Sequence, residues 1–240
     1  MFAGLGDRFE IRYVDAFGHD PRYPVTDSWP HLVDELIGHV ERHGEPVLGA
    51  GHSLGGYLSV AAALKRPELF RAIVLLDSPI LVPWKGAAFW AVKRLGLADY
   101  FTPAGVTRDR RASWPSSDEA FAHFRKKGPF LEFDPECLRD YVTLGMRPCA
   151  EGVCLAFDPA IEYRIYRAFP HGLAGDLPSL RVPAGLICGE ASSDAKLMGL
   201  STSLAHLRVA RTPGGHLFPF ERPDAAARAI CEMADALEAR

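Results

Sequence analysis

The residues in this 240-residue chain best suited to chemistry are Gly51-His52-Ser53-Leu54-Gly55-Gly56. A serine in a Gly-x-Ser-x-Gly pattern is set up for nucleophilic attack when it stands on a sharp turn from a strand into a helix. The flanks have that form. Val47-Leu48-Gly49-Ala50, short, apolar and preceded by Pro46, predicts a buried strand, and Gly56 to Leu64 predicts a helix ended by Pro67. Glycines suit the turn because its backbone is strained and a side chain would not fit between strand and helix. Ser53 is the candidate nucleophile, and the Leu54 backbone N–H just after it is placed to donate to an oxyanion.

A serine hydroxyl attacks well only when a base takes its proton, and the base needs a carboxylate to hold it. Of nine histidines, His216 alone lies in a glycine-flanked loop after the last predicted strand, Gly214-Gly215-His216-Leu217-Phe218-Pro219. It is the candidate base. For the carboxylate, Asp194 is favoured, deep in the loop that follows the strand Leu186 to Cys188. Asp77, after the preceding strand, and Glu190 are the other positions at strand ends, where α/β ligand sites form. His39 and His43 lie four apart on a helix without a third ligand and read as surface residues. No metal or cofactor is expected.

The elements that must position these groups alternate. Phe9 to Val14 reads as a strand, and Trp29, Leu32, Val33, Leu36, Ile37 and Val40 as one apolar helix face, capped by Thr26, Asp27 or Ser28. Ala72 to Leu76 is a continuous apolar run, as in a parallel strand covered on both faces. Pro183 to Cys188 and Leu207 to Ala210 are further strands, with a short helix over Ala195 to Leu204 between them. A last helix starts at Pro223 with Ala226, Ile230, Met233 and Leu237 as its stripe. Strands alternating with helices predict an α/β chain with a mostly parallel sheet flanked by helices. Between residues 78 and 180 the alternation lapses into helical pieces (Trp84 to Leu97, Asp118 to Lys127, Pro135 to Gly145, Ala160 to Ala168) rich in aromatics. That stretch reads as an inserted helical lid over an apolar pocket, with residues 1–77 and 181–240 forming the core.

A composition 48% hydrophobic supports a sizeable core, and a net charge of −3 gives no general pull toward nucleic acid or anionic membrane. Five scattered cysteines without C-x-x-C read as reduced thiols of a cytoplasmic protein. No basic start followed by an apolar run opens the chain, and no apolar stretch reaches membrane-spanning length.

Together the elbow motif, Ala72-Ile73-Val74-Leu75-Leu76-Asp77, the stretch Pro183 to Asp194 and Gly215-His216-Leu217-Phe218-Pro219-Phe220-Glu221-Arg222-Pro223 resemble the α/β-hydrolase superfamily with a lid. The resemblance spans nearly the whole chain. It implies hydrolysis of an ester, thioester or related acyl bond of a small apolar substrate. The same fold and triad also serve cofactor-free perhydrolases and haloperoxidases, and small-molecule receptors. Two departures stand out. The twenty-two residues from Asp194 to His216 form a shorter gap than the resemblance implies. The chain also opens at Met1, barely ahead of what corresponds to the family's fourth strand. The third strand, which separates the fourth from the elbow strand, is then missing, along with a His-Gly loop that supplies a second oxyanion donor. Losing one donor costs about 10²–10³ in turnover. The expectation is therefore a start that falls late, impaired activity, and no ladder joining residues 9–14 to the elbow strand.

Overall fold

The computed structural model describes residues 1–78, 80–193 and 207–239. Four parallel strands form its main sheet in the order β1 (Val47–His52), β2 (Phe70–Leu76), β6 (Ala184–Gly189), β7 (Arg208–Thr212). Helices cover both faces, and the side-chain alternation of β2 shows how. Ile73 and Leu75 pack with Leu58, Val60 and Leu32 of α3 (Leu54–Lys65) and α2 (Pro30–Glu41). Ala72, Val74 and Leu76 point the other way, onto Leu5 of α1 (Phe2–Gly6) and onto Ala226, Ile230, Met233 and Leu237 of the C-terminal helix, α11 (Pro223–Glu238). A strand covered on both faces needs apolar residues at successive positions, which is why the run Ala72 to Leu76 is unbroken.

Two expectations are corrected on the N-terminal side. Phe9 to Val14 forms no strand: Phe9 and Ile11 do turn inward, but among the described residues no backbone hydrogen bond joins this segment to β1. Alternation selects a face, and it makes a strand only where a neighbour completes the ladder. With β2 as its one partner among the described residues, β1 is an edge strand there, and Ala50 is exposed where full burial was expected. The second correction is the start of α2. None of Thr26, Asp27 or Ser28 caps it. Trp29 is the cap residue, in a left-handed turn at φ 62°, and Pro30 opens the helix. The Trp29 ring is buried against Tyr57, and its Nε1–H donates to the Ile165 carbonyl at 2.9 Å. Burial and that hydrogen bond fix a turn that propensity disfavours.

Between β2 and β6 run six helices: α4 (Pro83–Arg94), α5 (Ala98–Phe101), α6 (Ala104–Thr107), α7 (Ser117–Phe124), α8 (Pro135–Leu144) and α9 (Pro159–Arg167). The stretch is not purely helical as expected. A small antiparallel sheet, β3 (Ser113–Trp114), β5 (Gly152–Leu155), β4 (Met146–Cys149), lies within it. Two- and four-residue strands are too short to show a period of two in sequence. Trp114, Phe124, Leu138, Val142 and Leu155 form a core of their own there. The helix expected over Ala195 to Leu204 lies outside the described residues.

Candidate active site

The site forms where the parallel strands end. Ser53 follows β1 directly, with φ 52° and ψ −115°, and its N–H continues the ladder by donating to the Leu76 carbonyl at 2.9 Å. A non-glycine residue at positive φ is held by its surroundings. Here the hold is close packing: a Cβ added to Gly51 would lie 2.1 Å from the Gly55 carbonyl carbon. Leu54 is the first residue of α3, where backbone N–H groups lack acceptors within the helix and carry its positive end.

Asp77 stands at the end of β2 as Ser53 does at the end of β1. It too has positive φ, 45°, and its N–H donates to Ile187 of β6 at 2.9 Å. Its carboxylate is fully buried and meets His216: Nδ1 of His216 lies 2.9 Å from Oδ2. The Ser192 hydroxyl donates to the same oxygen. His216 belongs to the loop between β7 and the short helix α10 (Phe218–Glu221). Three contacts seat that loop. Gly215 N donates to Glu221 Oε2 at 2.6 Å, Ala191 N donates to the Gly214 carbonyl at 3.0 Å, and Gly189 lets the loop pass, since a Cβ there would fall 2.1 Å from the Gly215 oxygen.

Of the sequence-predicted site residues, then, Ser53, Leu54 and His216 lie at the strand ends as expected. Asp194 lies outside the described residues. Glu190 is exposed, and the carboxylate on the histidine is Asp77. Ser192 and Glu221 escaped the sequence reading because a hydroxyl or carboxylate that braces a loop carries no spacing signal. Glu35 escaped it too: buried in α2, it accepts from Gly18 N at 2.9 Å, and burial raises its pKa. No cluster of three or more His, Cys, Asp or Glu among the described residues, His39 and His43 included, has the make-up of a metal site. The five cysteines are unpaired. No helix among the described residues is long and apolar enough to cross a membrane.

His52 was also missed. Its Nε2–H donates to the His216 carbonyl at 2.8 Å, and the two rings lie 4.9 Å apart. Burial first, then repulsion from His216, holds its pKa down at about 4. The folded protein therefore resists a proton that the unfolded chain accepts near 6.5. Its contribution to stability is complete above that value and falls as the pH drops toward 4, by roughly 3 kcal/mol. Urea unfolding of the wild type and His52→Gln at pH 7 and pH 4 checks this. The stability difference between them should shift against the wild type by about that amount, and an unchanged difference would assign the acid sensitivity elsewhere.

Aromatic rings extend from this site into the insertion. Phe220 packs edge-on against His52 at 6.1 Å and stacks on Phe133 at 5.0 Å, while Asp134 N donates to the Phe220 carbonyl at 2.9 Å.

Comparison with known proteins agrees with this architecture. Over 102 residues the chain is 29% identical to ethanol acetyltransferase 1 of Hanseniaspora uvarum, covering 41% of this chain and 30% of that one. Over 156 residues it is 27% identical to a type I acyl-CoA thioesterase of Penicillium roqueforti, covering 60% and 34%. The matches thus span about a third of the length of these relatives. Among solved structures, E-2-(acetamidomethylene)succinate hydrolase superposes with a TM-score of 0.75 at 20% identity over 98% of this chain and 86% of that one. The thioesterase domain from the curacin biosynthetic pathway does so with 0.58 at 21% identity, over 83% and 72%. These likenesses are of fold. The family model described as the alpha/beta hydrolase family matches residues 1–229, and the chain belongs to that family.

Proposed function

We propose that this chain is a serine hydrolase that cleaves an ester, thioester or related acyl bond of an apolar small molecule. Ser53 is its nucleophile, His216 the base, Asp77 the orienting carboxylate and the Leu54 N–H an oxyanion donor. The observation that carries the reading is the contact between His216 Nδ1 and buried Asp77 Oδ2, made at the same end of the sheet as the strained Ser53 turn. With Nδ1–H donated to Asp77, the Nε2 lone pair of His216 is left to take a proton. As Ser53 Oγ bonds to the acyl carbon, its proton passes to that nitrogen, and the carbonyl oxygen takes the negative charge beside the Leu54 N–H. Collapse expels the alcohol or thiol with the proton from His216. A water deprotonated by the same nitrogen then releases the acid. The route uses neither metal nor cofactor. Supply of a second oxyanion donor would set how fast it runs.

The names of the two curated relatives both denote acyl chemistry, which supports an acyl bond as the target. The apolar substrate rests on the wall of Phe220 and Phe133 beside His52. We assign residues 78–180 the part of a lid because Asp134 and Phe133 tie that stretch to the segment following His216. The test is a fluorophosphonate probe with turnover assays on p-nitrophenyl esters and acyl-CoA thioesters. Labelling of Ser53 alone together with multiple turnovers is the expected result. Stoichiometric ligand binding with negligible turnover would make the chain a receptor instead.

A further inference from the structure

Helix α4 carries its apolar surface on the wrong side for a core helix. Its inward face is Gly86 and Phe89, with Phe89 edge-on to Phe169 at 5.6 Å, while Lys93 Nζ donates to the Phe169 carbonyl at 2.9 Å. The face turned to water holds Trp84, Ala87 and Ala88, and Leu95 follows at its end. A surface helix normally shows water its polar side. The exposure continues through α5 and α6. Trp84 is 70% exposed, Leu95 72%, Tyr100 83%, Phe101 68% and Val106 77%. With Trp90 and Leu97, seven of the thirteen large exposed hydrophobic residues among those described fall between positions 84 and 106. Single exposed apolar side chains are ordinary, but a concentration of this kind marks a surface that meets something.

The charges around the patch say what. The chain as a whole is negative, yet residues 83–111 hold six lysines and arginines against two aspartates, and α4 has no carboxylate at all. Lys93 pairs with Asp27, Arg108 with Asp99, and Arg110 with Glu162. Lys85 and Arg94 make no ion pair among the described residues. Each instead lies over an exposed indole, Lys85 Nζ at 5.3 Å from the Trp84 ring and Arg94 Cζ at 5.9 Å from that of Trp90. Tryptophan beside a cation, on a helix lying flat along the surface, suits the boundary between lipid headgroups and acyl chains. There the ring enters the boundary and the cation meets phosphate.

We propose that the face formed by Trp84, Trp90, Leu95, Tyr100 and Phe101 docks on an anionic lipid surface, with Lys85 and Arg94 reading its charge. The inference does not depend on the catalytic assignment. The test is co-sedimentation of the whole chain with phosphatidylcholine vesicles, with and without phosphatidylglycerol, read also by tryptophan emission. Binding to the anionic vesicles with a blue shift is expected. Lys85→Gln with Arg94→Gln should weaken it about thirtyfold, at roughly fivefold per cation near the surface, and remove most of its salt sensitivity. Trp84→Ser with Trp90→Ser should weaken binding to both vesicle types and abolish the shift. These positions are on the surface, so a thermal melt should show all variants folded. Absence of binding, or binding at the wild-type level by either double variant, overturns the proposal. So does a homodimer in light scattering that Trp84→Ser dissolves while vesicles leave it intact, since the face would then belong to a second copy.

Discussion

Ser53→Ala and His216→Ala are each expected to reduce kcat for a p-nitrophenyl ester by about 10⁵–10⁶, and the double variant to be little worse than either. In the proposed mechanism nucleophile and base act as one unit. Without His216 nothing accepts the Ser53 proton, and without Ser53 the histidine has no covalent step to serve. The activity left in all three variants would come from binding and from the Leu54 N–H, which none of them touches. Ser53→Ala keeps the strained φ of 52° with no new atoms, so its unfolding midpoint should match the wild type. Losses that multiply in the double variant would mean that the two residues act separately. Turnover surviving in Ser53→Ala would move the nucleophile elsewhere.

The parts legible in sequence were those whose signal is local. Gly51 and Gly56 announce the turn because packing there leaves no room for a Cβ. The apolar run Ala72 to Leu76 announces a strand covered on both sides, and the stripe of α11 appears as a 3.6-residue repeat. Illegible were features fixed by distant contacts. Phe9 to Val14 alternates like a strand, but a ladder needs a neighbour, which periodicity does not show. Trp29 takes a left-handed turn because Tyr57, Phe169 and the Ile165 carbonyl enclose its ring. The same distinction governs the site. Ser53 and His216 are marked by flanking glycines, whereas the carboxylate that meets His216 is chosen by which strand end faces it. Depth in a loop favours Asp194. Adjacency of β2 to both β1 and β6 brings Asp77 between the serine turn and the histidine loop.

That choice carries the second large effect: Asp77→Asn should lower kcat by about 10⁴. An asparagine can keep the shape. Its carbonyl oxygen can take the place of Oδ2 and still accept from His216 Nδ1–H and the Ser192 hydroxyl. Its amide would then fill the place of Oδ1, a buried atom that has no hydrogen-bond partner among the described residues. What it cannot supply is the negative charge that stabilises His216 once Nε2 has taken the serine proton. If the amide turns its NH₂ toward Nδ1 instead, the histidine is forced into the tautomer that holds a proton on Nε2 and cannot act as base. Either outcome removes catalysis while leaving Ser53 in place. Glu190→Gln should stay within about tenfold of the wild type, since its exposed charge acts on the imidazole only through solvent, and with Asp77 in the orienting role Asp194→Asn is expected to do the same. The measurement is kcat for the three variants on one ester, with circular dichroism to show that the buried Asp77 site still folds. A severe Asp194→Asn beside a mild Asp77→Asn would give the orienting role to Asp194 and leave Asp77 as a brace between the Ser192 hydroxyl and the histidine loop.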